Sequence, residues 1–106
     1  SWGEQQQRAF DLLKERLTTA PVLAHPDVSA PFKLMLYTDA SNIGMGAVLQ
    51  QNQDGEDKVI SYFSKIWNRQ EAKYSVTEKE GLAIVKAVEH WRQYLAGAEF
   101  VVYTDH

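Results

Sequence analysis

Two aspartates in this 106-residue chain follow the same dipeptide, Tyr-Thr, at the end of an apolar run. Asp39 ends the run that begins at Phe32, and Asp105 ends the run that begins at Glu99. Carboxylates at the ends of two buried strands add little to a core, because burying a charge costs free energy unless it is compensated. They are well suited to hold a divalent metal ion, since carboxylate oxygens are preferred ligands of Mg²⁺ and Mn²⁺.

A third carboxylate can come from the helix that is predicted to cover these strands, and its two candidates are Glu78 and Glu80. An α-helix turns by about 100° per residue. Glu80 precedes the apolar Ile84 by four residues and therefore lies about 40° from the buried stripe, whereas Glu78 points about 240° round the helix. The pattern therefore predicts Asp39, Glu80 and Asp105 as the metal ligands.

Three carboxylates at one site would indicate which metal ion binds and which reaction it supports. Close carboxylates repel one another, so they need either protons or bound cations. Ligation by oxygen alone, without His or Cys, suits Mg²⁺ or Mn²⁺, and magnesium held in this way usually takes substrate phosphates as further ligands. Two such ions can activate a water and stabilise the leaving oxygen of a phosphodiester. The predicted reaction is therefore hydrolysis of a phosphodiester with two metal ions.

Each acid also has a purely structural interpretation. Either aspartate could accept hydrogen bonds from backbone amides of the turn that follows it. Glu80 could close a capping box that begins at Thr77, and Glu78 could close one that begins at Ser75. Only convergence of all three acids favours metal ligation over these alternatives.

The elements that must position these acids can be predicted from apolar spacing and turn residues. In chain order they are a helix over 4–18, a strand over 32–39, a turn of small residues over 40–44, a strand beginning at Ala47, a strand over 59–63, a helix over 77–95 and a strand over 99–105. The residues Asn52–Gly55 are typical of a hairpin between the second and third strands. The apolar stripe of the longer helix consists of Ile84, Val88, Trp91 and Leu95.

The order of these elements predicts the topology. A strand, a helix and a strand in succession favour a right-handed crossover, which sets the last strand parallel to an earlier one. If that is the first strand, the two Tyr-Thr-Asp endings lie side by side at the carboxyl end of the sheet, where ligands of open α/β sheets bind. The prediction is an α/β fold whose mixed sheet has three leading antiparallel strands, a covering helix and a fourth strand parallel to the first.

Composition limits the possible functions. The apolar content of 44% is ordinary for a globular domain, and no apolar run approaches the length of a membrane span. Cysteine is absent, which excludes disulfides and thiolate zinc sites. The net charge of −3 argues against strong free-standing binding of nucleic acid, because phosphate neutralisation needs clustered Lys and Arg. A nuclease module can still take its affinity from a neighbouring domain.

Motifs along nearly the whole chain match one known family. They are Ala20–Leu23 with Pro26–Asp27, Thr38–Ser41 with Gly44–Leu49, Tyr74–Glu80, Trp91–Gly97 and Tyr103–His106. With these motifs the sequence resembles the ribonuclease H domain of Ty3/gypsy-like retroelement reverse transcriptases. The resemblance implies a ribonuclease H-like fold.

The resemblance also implies an activity, namely metal-dependent hydrolysis of the RNA strand of RNA/DNA hybrids with two Mg²⁺ or Mn²⁺ ions. It maps the first three active-site acids of the family onto Asp39, Glu80 and Asp105, in agreement with the geometric argument. Recognition of ribose 2′-hydroxyls across a minor groove would fall to residues beside the acids. These substrate-binding candidates are Ala40, Ser41, Thr77 and His106.

The family pattern divides the chain in two. Residues 1–30 resemble the helix and proline-containing connector that follow the polymerase part of the same polyprotein, and residues 31–106 resemble the ribonuclease H domain. The family continues past Asp105-His106 with another strand, a helix and a fourth acid, so the domain is expected to be truncated after the third acidic motif. Cleavage is then expected to be weak in Mg²⁺, with partial rescue by Mn²⁺. A sheet edge exposed in this way could pair two copies of the chain. The expected location is the cytoplasm or a virus-like particle, with no membrane association.

Two other functions are compatible with the sequence. The chain could be a non-catalytic connection or scaffold module that positions a hybrid or a partner protein, or a host-adopted fragment with a protein partner. The presence of all three acids favours the enzyme. The missing fourth acid and the acidic pI near 5.5 favour the module without catalysis.

Overall fold

A four-stranded mixed sheet with a long helix packed on one face makes up most of the structure, a computed structural model that describes residues 23–29 and 32–104. In chain order the elements are β1 (Lys33–Ala40), β2 (Gly44–Gln53), β3 (Glu56–Ile66), a 3₁₀ turn (Glu71–Lys73), α1 (Val76–His90), α2 (Arg92–Leu95) and β4 (Glu99–Thr104). The predicted helix over 4–18 and the predicted site residues Asp105 and His106 lie outside the described residues. No helix in the described ranges is long and apolar enough to span a membrane.

The strands lie in the order β3-β2-β1-β4. The pairs β1–β2 and β2–β3 are antiparallel, and the pair β1–β4 is parallel. The predicted mixed sheet, with three antiparallel strands and a fourth parallel to the first, is therefore confirmed. Because α1 and α2 lie between β3 and β4 in sequence, they form the crossover that a parallel strand pair requires.

The predicted hairpin is also confirmed. Asp54 and Gly55 form a two-residue turn between β2 and β3, with φ angles of 54° and 84°. Positive φ at both central residues is the signature of a type I′ turn, whose twist matches that of the flanking strands. Asp-Gly is a preferred sequence for this turn, so the register of the hairpin is specified locally.

A β-bulge interrupts the regular alternation of side chains along β3. Leu49 of β2 pairs with Ser61, but Gln50 pairs with Val59, which leaves Ile60 as the extra residue. Strict alternation would place Ile60 and Tyr62 on the same face of the sheet. Instead Ile60 packs in the core beneath α1, and Tyr62 packs on the opposite face. A bulge inserts one residue without a pairing partner, so a period of two cannot predict the faces on both sides of it.

The main core lies between the sheet and α1. Leu34 and Leu36 of β1 are fully buried there, and each contributes roughly 1.5–3 kcal/mol through the removal of apolar surface from water. On the helix, the predicted stripe is only partly confirmed, because Trp91 and Leu95 are buried but Ile84 and Val88 are half-buried. The most buried side chains of α1 are those of Ala83 and Ala87, with exposures of 1% and 0%. Small side chains let the helix approach the sheet closely. The spacing of large apolar residues instead predicts that the neighbouring positions, Ile84 and Val88, are the buried ones.

The predicted helix over 77–95 is also divided. It begins one residue earlier, at Val76, and ends at His90, and a separate turn of helix follows over Arg92–Leu95. Trp91 between them has φ −105° and ψ 26°, which is outside the helical region. Its indole is 2% exposed, so the interruption coincides with the largest side chain of the core.

The opposite face of the sheet carries a second apolar cluster around Tyr37 and Val48. The ring of Tyr37 stacks on that of Tyr103 with a centroid distance of 5.0 Å. Burial, followed by the proximity of Tyr103 and Asp57, raises the pKa of Tyr37 to about 12. Both faces of β1 are therefore covered, as the apolar residues on both sides of this strand predict.

The described part of the predicted connector, residues 23–29, packs along the sheet. The amide of Ala24 donates to the carbonyl of Val59 at 2.9 Å, and the amide of Asp27 donates to Oε1 of Gln51 at 2.7 Å. The side chain of Gln51 returns a hydrogen bond to the carbonyl of Asp27 at 2.8 Å. Residues 23–29 are therefore attached to both β2 and β3.

Candidate active site

Two of the three predicted acids fall within the described residues. Asp39 is the penultimate residue of β1, and Glu80 lies in the second turn of α1. Both are half-buried, and neither is without an interaction partner. Among residues 23–29 and 32–104 no three Asp, Glu, His or Cys side chains form a group that could hold a metal ion. Because Asp105 is not among these residues, the predicted triad as a whole stays a prediction.

The strand register explains how the two aspartates relate. The parallel pairing of β1 with β4 runs from Lys33–Glu99 to Thr38–Thr104. The residues that directly follow the last pair in sequence are Asp39 and Asp105. The structure therefore aligns the two Tyr-Thr dipeptides side by side, which is the arrangement that the repeated Tyr-Thr-Asp predicts.

The alternation of side chains along β1 determines the face on which Asp39 lies. Ala40 packs against the core beneath α1, and side chains alternate along a strand, so Asp39 lies on the side of β1 that carries Tyr37.

The two glutamates of α1 have different roles. Ser75 is the N-cap, with its Oγ accepting from the amide of Glu78 at 3.1 Å, and the Glu78 carboxylate accepts from the amide of Ser75 at 2.9 Å. Hydrogen bonds to this carboxylate from the backbone amide of Ser75 and then from its side chain hold the pKa of Glu78 below its usual range. The capping box predicted for Ser75 and Glu78 is thus present. The alternative box from Thr77 to Glu80 is wrong, because Thr77 lies inside the helix.

A groove separates the turn after β1 from the start of α1. It has a volume of about 310 Å³ and is lined by Ala40, Ser41, Asn42, Val76 and Lys79. Each described acid is the sequence neighbour of a groove residue, since Asp39 precedes Ala40 and Glu80 follows Lys79. Two of the predicted substrate-binding residues therefore line the groove, while Thr77 is exposed in the first turn of α1.

The turn that forms one wall of this groove is stabilised by Ser41. Its Oγ accepts from the amides of Ile43 and Gly44, each at 3.2 Å, and its own amide donates to the carbonyl of Gly44 at 2.8 Å. The hydroxyl of Ser41 therefore has a structural role in this turn. A serine two residues before the amide it accepts from is a local turn signal that the sequence does contain.

Trp67 holds the same turn from the other side and is a residue that the sequence analysis missed. Its Nε1 donates to the carbonyl of Ser41 at 2.8 Å, and its amide donates to the carbonyl of Ile43 at 2.9 Å. The indole is 6% exposed, so both hydrogen bonds are shielded from water. A tryptophan in an otherwise polar loop is the only indication in the sequence of such a contact.

Glu71 fixes the loop that contains Trp67. Its carboxylate accepts from Lys65 Nζ at 2.7 Å and from the amide of Asn68 at 2.9 Å, and Lys86 Nζ on α1 lies 3.9 Å away. Asn68 Oδ1 accepts from the amide of Glu71 at 2.8 Å. The hydrogen bonds from Lys65 and from the Asn68 amide hold the pKa of Glu71 below its ordinary value of 4.5. Glu71 thus connects β3, the loop and α1.

This lowered pKa predicts a pH dependence of stability. A carboxylate whose pKa is depressed by folding stabilises the fold above its unfolded pKa, and the contribution is lost as the pH falls through the folded value. We expect the melting temperature to fall on acidification below pH 4.5, and Glu71→Gln to lower it at pH 7 while reducing this acid dependence. Thermal melts between neutral and acid pH test this, with Glu89→Gln on the exposed side of α1 as the control for loss of one charge. Equal acid dependence in Glu71→Gln and the unsubstituted chain would contradict the assignment.

A larger cavity lies elsewhere and is not part of this site. It has a volume of about 490 Å³ and is lined by residues that include Lys33, Asp57 and Tyr103. Lys33 begins β1, six residues before Asp39, which corresponds to about 20 Å along an extended strand. The smaller groove is therefore the one whose lining residues adjoin Asp39 and Glu80 in sequence.

Comparison with known proteins identifies the fold with a family. The model of the family described as "RNase H-like domain found in reverse transcriptase" matches residues 2–102. The chain belongs to this family. The Tf2-3 and Tf2-4 polyproteins of Schizosaccharomyces pombe are each 41% identical over 109 residues, which covers 99% of this chain and 8% of each polyprotein. This RNase H-like domain therefore spans a small part of the relatives that it matches.

Solved structures share the fold of this RNase H-like domain. A crystal structure of prototype foamy virus protease-reverse transcriptase superposes with a TM-score of 0.71 at 22% identity, over 100% of this chain and 14% of that one. The foamy viral protease-reverse transcriptase in complex with RNA/DNA hybrid superposes with a TM-score of 0.66 at 23% identity, again over 100% and 14%. The mixed sheet with its crossover helix is therefore the ribonuclease H-like fold, as the sequence predicts.

Proposed function

We propose that this domain hydrolyses the RNA strand of RNA/DNA hybrids as the ribonuclease H part of a retroelement reverse transcriptase. The observation that carries the proposal is the parallel register of β1 and β4, which runs to Thr38–Thr104 and is followed in sequence by Asp39 and Asp105. Membership of the RNase H-like family and the likeness to Tf2 polyproteins support the same function. One structural neighbour is a protease-reverse transcriptase in complex with RNA/DNA hybrid.

The proposed ligands are of the residue types that fit a hard divalent cation. Asp39 and Glu80 supply half-buried carboxylate oxygens, and no His or Cys is placed beside them among the described residues that line the groove. Oxygen ligands of this kind select Mg²⁺ or Mn²⁺ over softer metals. We propose that Asp39, Glu80 and Asp105 hold two such ions, which supply an activated water and neutralise charge on the leaving oxygen when bound.

Residues in and beside the groove are the proposed contacts for the substrate. The side chain of Ala40 is small and the Ser41–Asn42 turn is held rigidly by Trp67, so a ribose can approach this backbone closely. We propose that Ala40, Ser41, Thr77 and His106 contact the 2′-hydroxyls that distinguish RNA from DNA. The same proposal divides the chain into a connector over 1–30 and the domain over 31–106. It also includes a polymerase part of the same polyprotein as partner and pairing of two copies through a sheet edge. The proposed location is the cytoplasm or a virus-like particle.

Metal binding can be tested directly on the chain. Addition of Mn²⁺ should broaden the backbone amide signals around Asp39 and Glu80 in NMR spectra, because a paramagnetic ion relaxes nearby nuclei. Signals at the far end of β1, around Lys33, should be unaffected. Asp39→Asn should abolish the selective broadening, and a short RNA/DNA hybrid should be cleaved in Mn²⁺ only by the unsubstituted chain. Cleavage in Mg²⁺ should be weaker, because Mg²⁺ demands near-ideal octahedral ligation.

The alternative of a non-catalytic module makes the opposite prediction. The net charge of −3 favours it, since it opposes binding to a polyanion. A connection or scaffold module would bind a hybrid or a partner protein without metal-dependent cleavage. Uniform broadening by Mn²⁺, together with uncleaved hybrid in both metals, would support that module and contradict the enzyme.

A further inference from the structure

One motif of the sequence is explained neither by the acids nor by the groove. Pro26–Asp27 lies within residues 23–29, here called the entry segment, which form no helix or strand. The amide of Ala24 donates to the carbonyl of Val59 on β3 at 2.9 Å, as a paired strand residue would. Proline has no amide hydrogen, so Pro26 cannot continue such a ladder. The entry segment therefore needs other hydrogen-bond partners beyond residue 24.

The side chain of Gln51 on β2 supplies these partners at Asp27. Its Oε1 accepts from the amide of Asp27 at 2.7 Å, and its Nε2 donates to the carbonyl of Asp27 at 2.8 Å. A strand residue exchanges the same two hydrogen bonds with its antiparallel partner. Gln51 is 3% exposed, and a buried carboxamide is costly unless it is hydrogen-bonded. The carboxamide thus takes the place of a strand partner for the backbone of Asp27.

A second glutamine supports the first. Gln53 lies two residues further along β2, and its Nε2 donates to the carbonyl of His25 and to Oε1 of Gln51, each at 2.8 Å. The bond to Gln51 orients the carboxamide that holds Asp27. The residues on both sides of Pro26 are therefore held by side chains of β2.

Apolar burial contributes little to this attachment. Leu23 and Val28 in the entry segment are 48% and 64% exposed, whereas Ala24 packs against the core with its single methyl group. The attachment therefore depends mainly on hydrogen bonds. Segments with few buried apolar contacts can open locally while the rest of the fold stays intact.

We infer that Gln51, supported by Gln53, docks the backbone of residues 25–27 on β2 and so fixes where the chain enters the domain. The docked segment is a unit that opens without loss of the sheet. The inference goes beyond the proposed function and does not depend on it, since docking needs neither metal nor hybrid. Under the proposed function, this contact orients the sheet relative to the polymerase part that precedes it.

Hydrogen exchange in Gln51→Met tests the inference, because methionine retains most of the side-chain volume but removes both hydrogen-bonding groups. The decisive amide is that of Ala24, since its own acceptor, the carbonyl of Val59, is unchanged by the substitution. We expect this amide to exchange about tenfold faster, because two hydrogen bonds that hold the segment are lost. Gln93→Met, the same change at an exposed position of α2, should leave its exchange unaltered. Amides of the β1–β2 ladder should keep their exchange rates in both variants.

Three results of this experiment would overturn the inference. One is an Ala24 amide that exchanges at the same rate in Gln51→Met and in the unsubstituted chain. Faster exchange of Asp27 alone has the same meaning, because Asp27 loses its acceptor directly. The third is a loss of protection throughout the β1–β2 ladder, since Gln51 would then stabilise the sheet and not the segment.

A second measurement uses the unsubstituted chain and does not depend on any variant being folded. The amides of Ala24 and Asp27 should be less protected than those of the β1–β2 ladder and should show one common free energy of opening. Their exchange should depend only weakly on urea, because local opening exposes little surface. Protection equal to that of the ladder, with the same urea dependence, would show that the segment opens only with the sheet and would overturn the inference.

Discussion

Replacing Glu80 with glutamine is expected to abolish metal-dependent hybrid cleavage while leaving the fold intact. On the proposed function, the substitution removes one anionic metal ligand, so metal affinity should fall sharply. The stability of the metal-free chain should hold or rise, because repulsion between like charges is relieved. The measurements are Mn²⁺ binding and hybrid cleavage in Mn²⁺, paired with a thermal melt without metal.

Glu78→Gln is the matched control for this prediction, because it makes the same chemical change two residues earlier on α1. Glu78 accepts from the amide of Ser75 in the capping box, and its substitution should lower the melting temperature slightly with little effect on cleavage. The assignment of Glu80 would be falsified if Glu80→Gln retained the cleavage rate of the unsubstituted chain while Glu78→Gln abolished it.

Gly44→Ala is expected to cause the largest loss of stability among single small changes near the site. A Cβ built on Gly44 would overlap the carbonyl oxygen of Lys65 on the neighbouring strand β3. Backbone cannot move aside as a flexible side chain can, so the pairing of β2 with β3 must shift. Overpacking typically costs about 1–3 kcal/mol. Urea unfolding of the substituted and unsubstituted chains measures the difference in free energy of unfolding.

Gly81→Ala provides the comparison with opposite sign. Gly81 is exposed on α1, and a Cβ added there meets no atom within 4 Å among the described residues. Glycine inside a helix costs about 0.5–1 kcal/mol relative to alanine, so this substitution should stabilise the chain by about that amount. Similar changes in stability for Gly44→Ala and Gly81→Ala would show that the close approach at Gly44 is not the cause.

The sheet topology could be predicted because its signals are local. The Asp54-Gly55 turn specifies one hairpin, and a strand-helix-strand succession restricts the last strand to a parallel position. The repeated Tyr-Thr-Asp then indicates which strands are neighbours. Each of these features can be recognised in the sequence without knowing how side chains pack.

The details that were missed depend on tertiary packing. Apolar periodicity predicts Ile84 and Val88 as buried residues of α1, but its most buried residues are Ala83 and Ala87. The bulge at Ile60 changes the face of the sheet on which the following residues lie, and no residue type in the sequence indicates it.

The candidate site was only partly predictable for the same reason. The acids stand out because charge at the end of an apolar run is unusual. Trp67 does not, since its hydrogen bond joins the turn after β1 to the loop before α1. Such contacts are determined only once the helix lies on the sheet.

The topology also implies an order of folding. The strands β1, β2 and β3 are joined by short turns, so their pairing closes small loops and is expected early. The pairing of β1 with β4 must wait until the intervening helices have crossed the sheet. The end of β1 would then be formed before the neighbouring strand arrives beside it. A metal ion that needs carboxylates from both strands would bind only after this late step, and would stabilise the finished fold without accelerating its early stages.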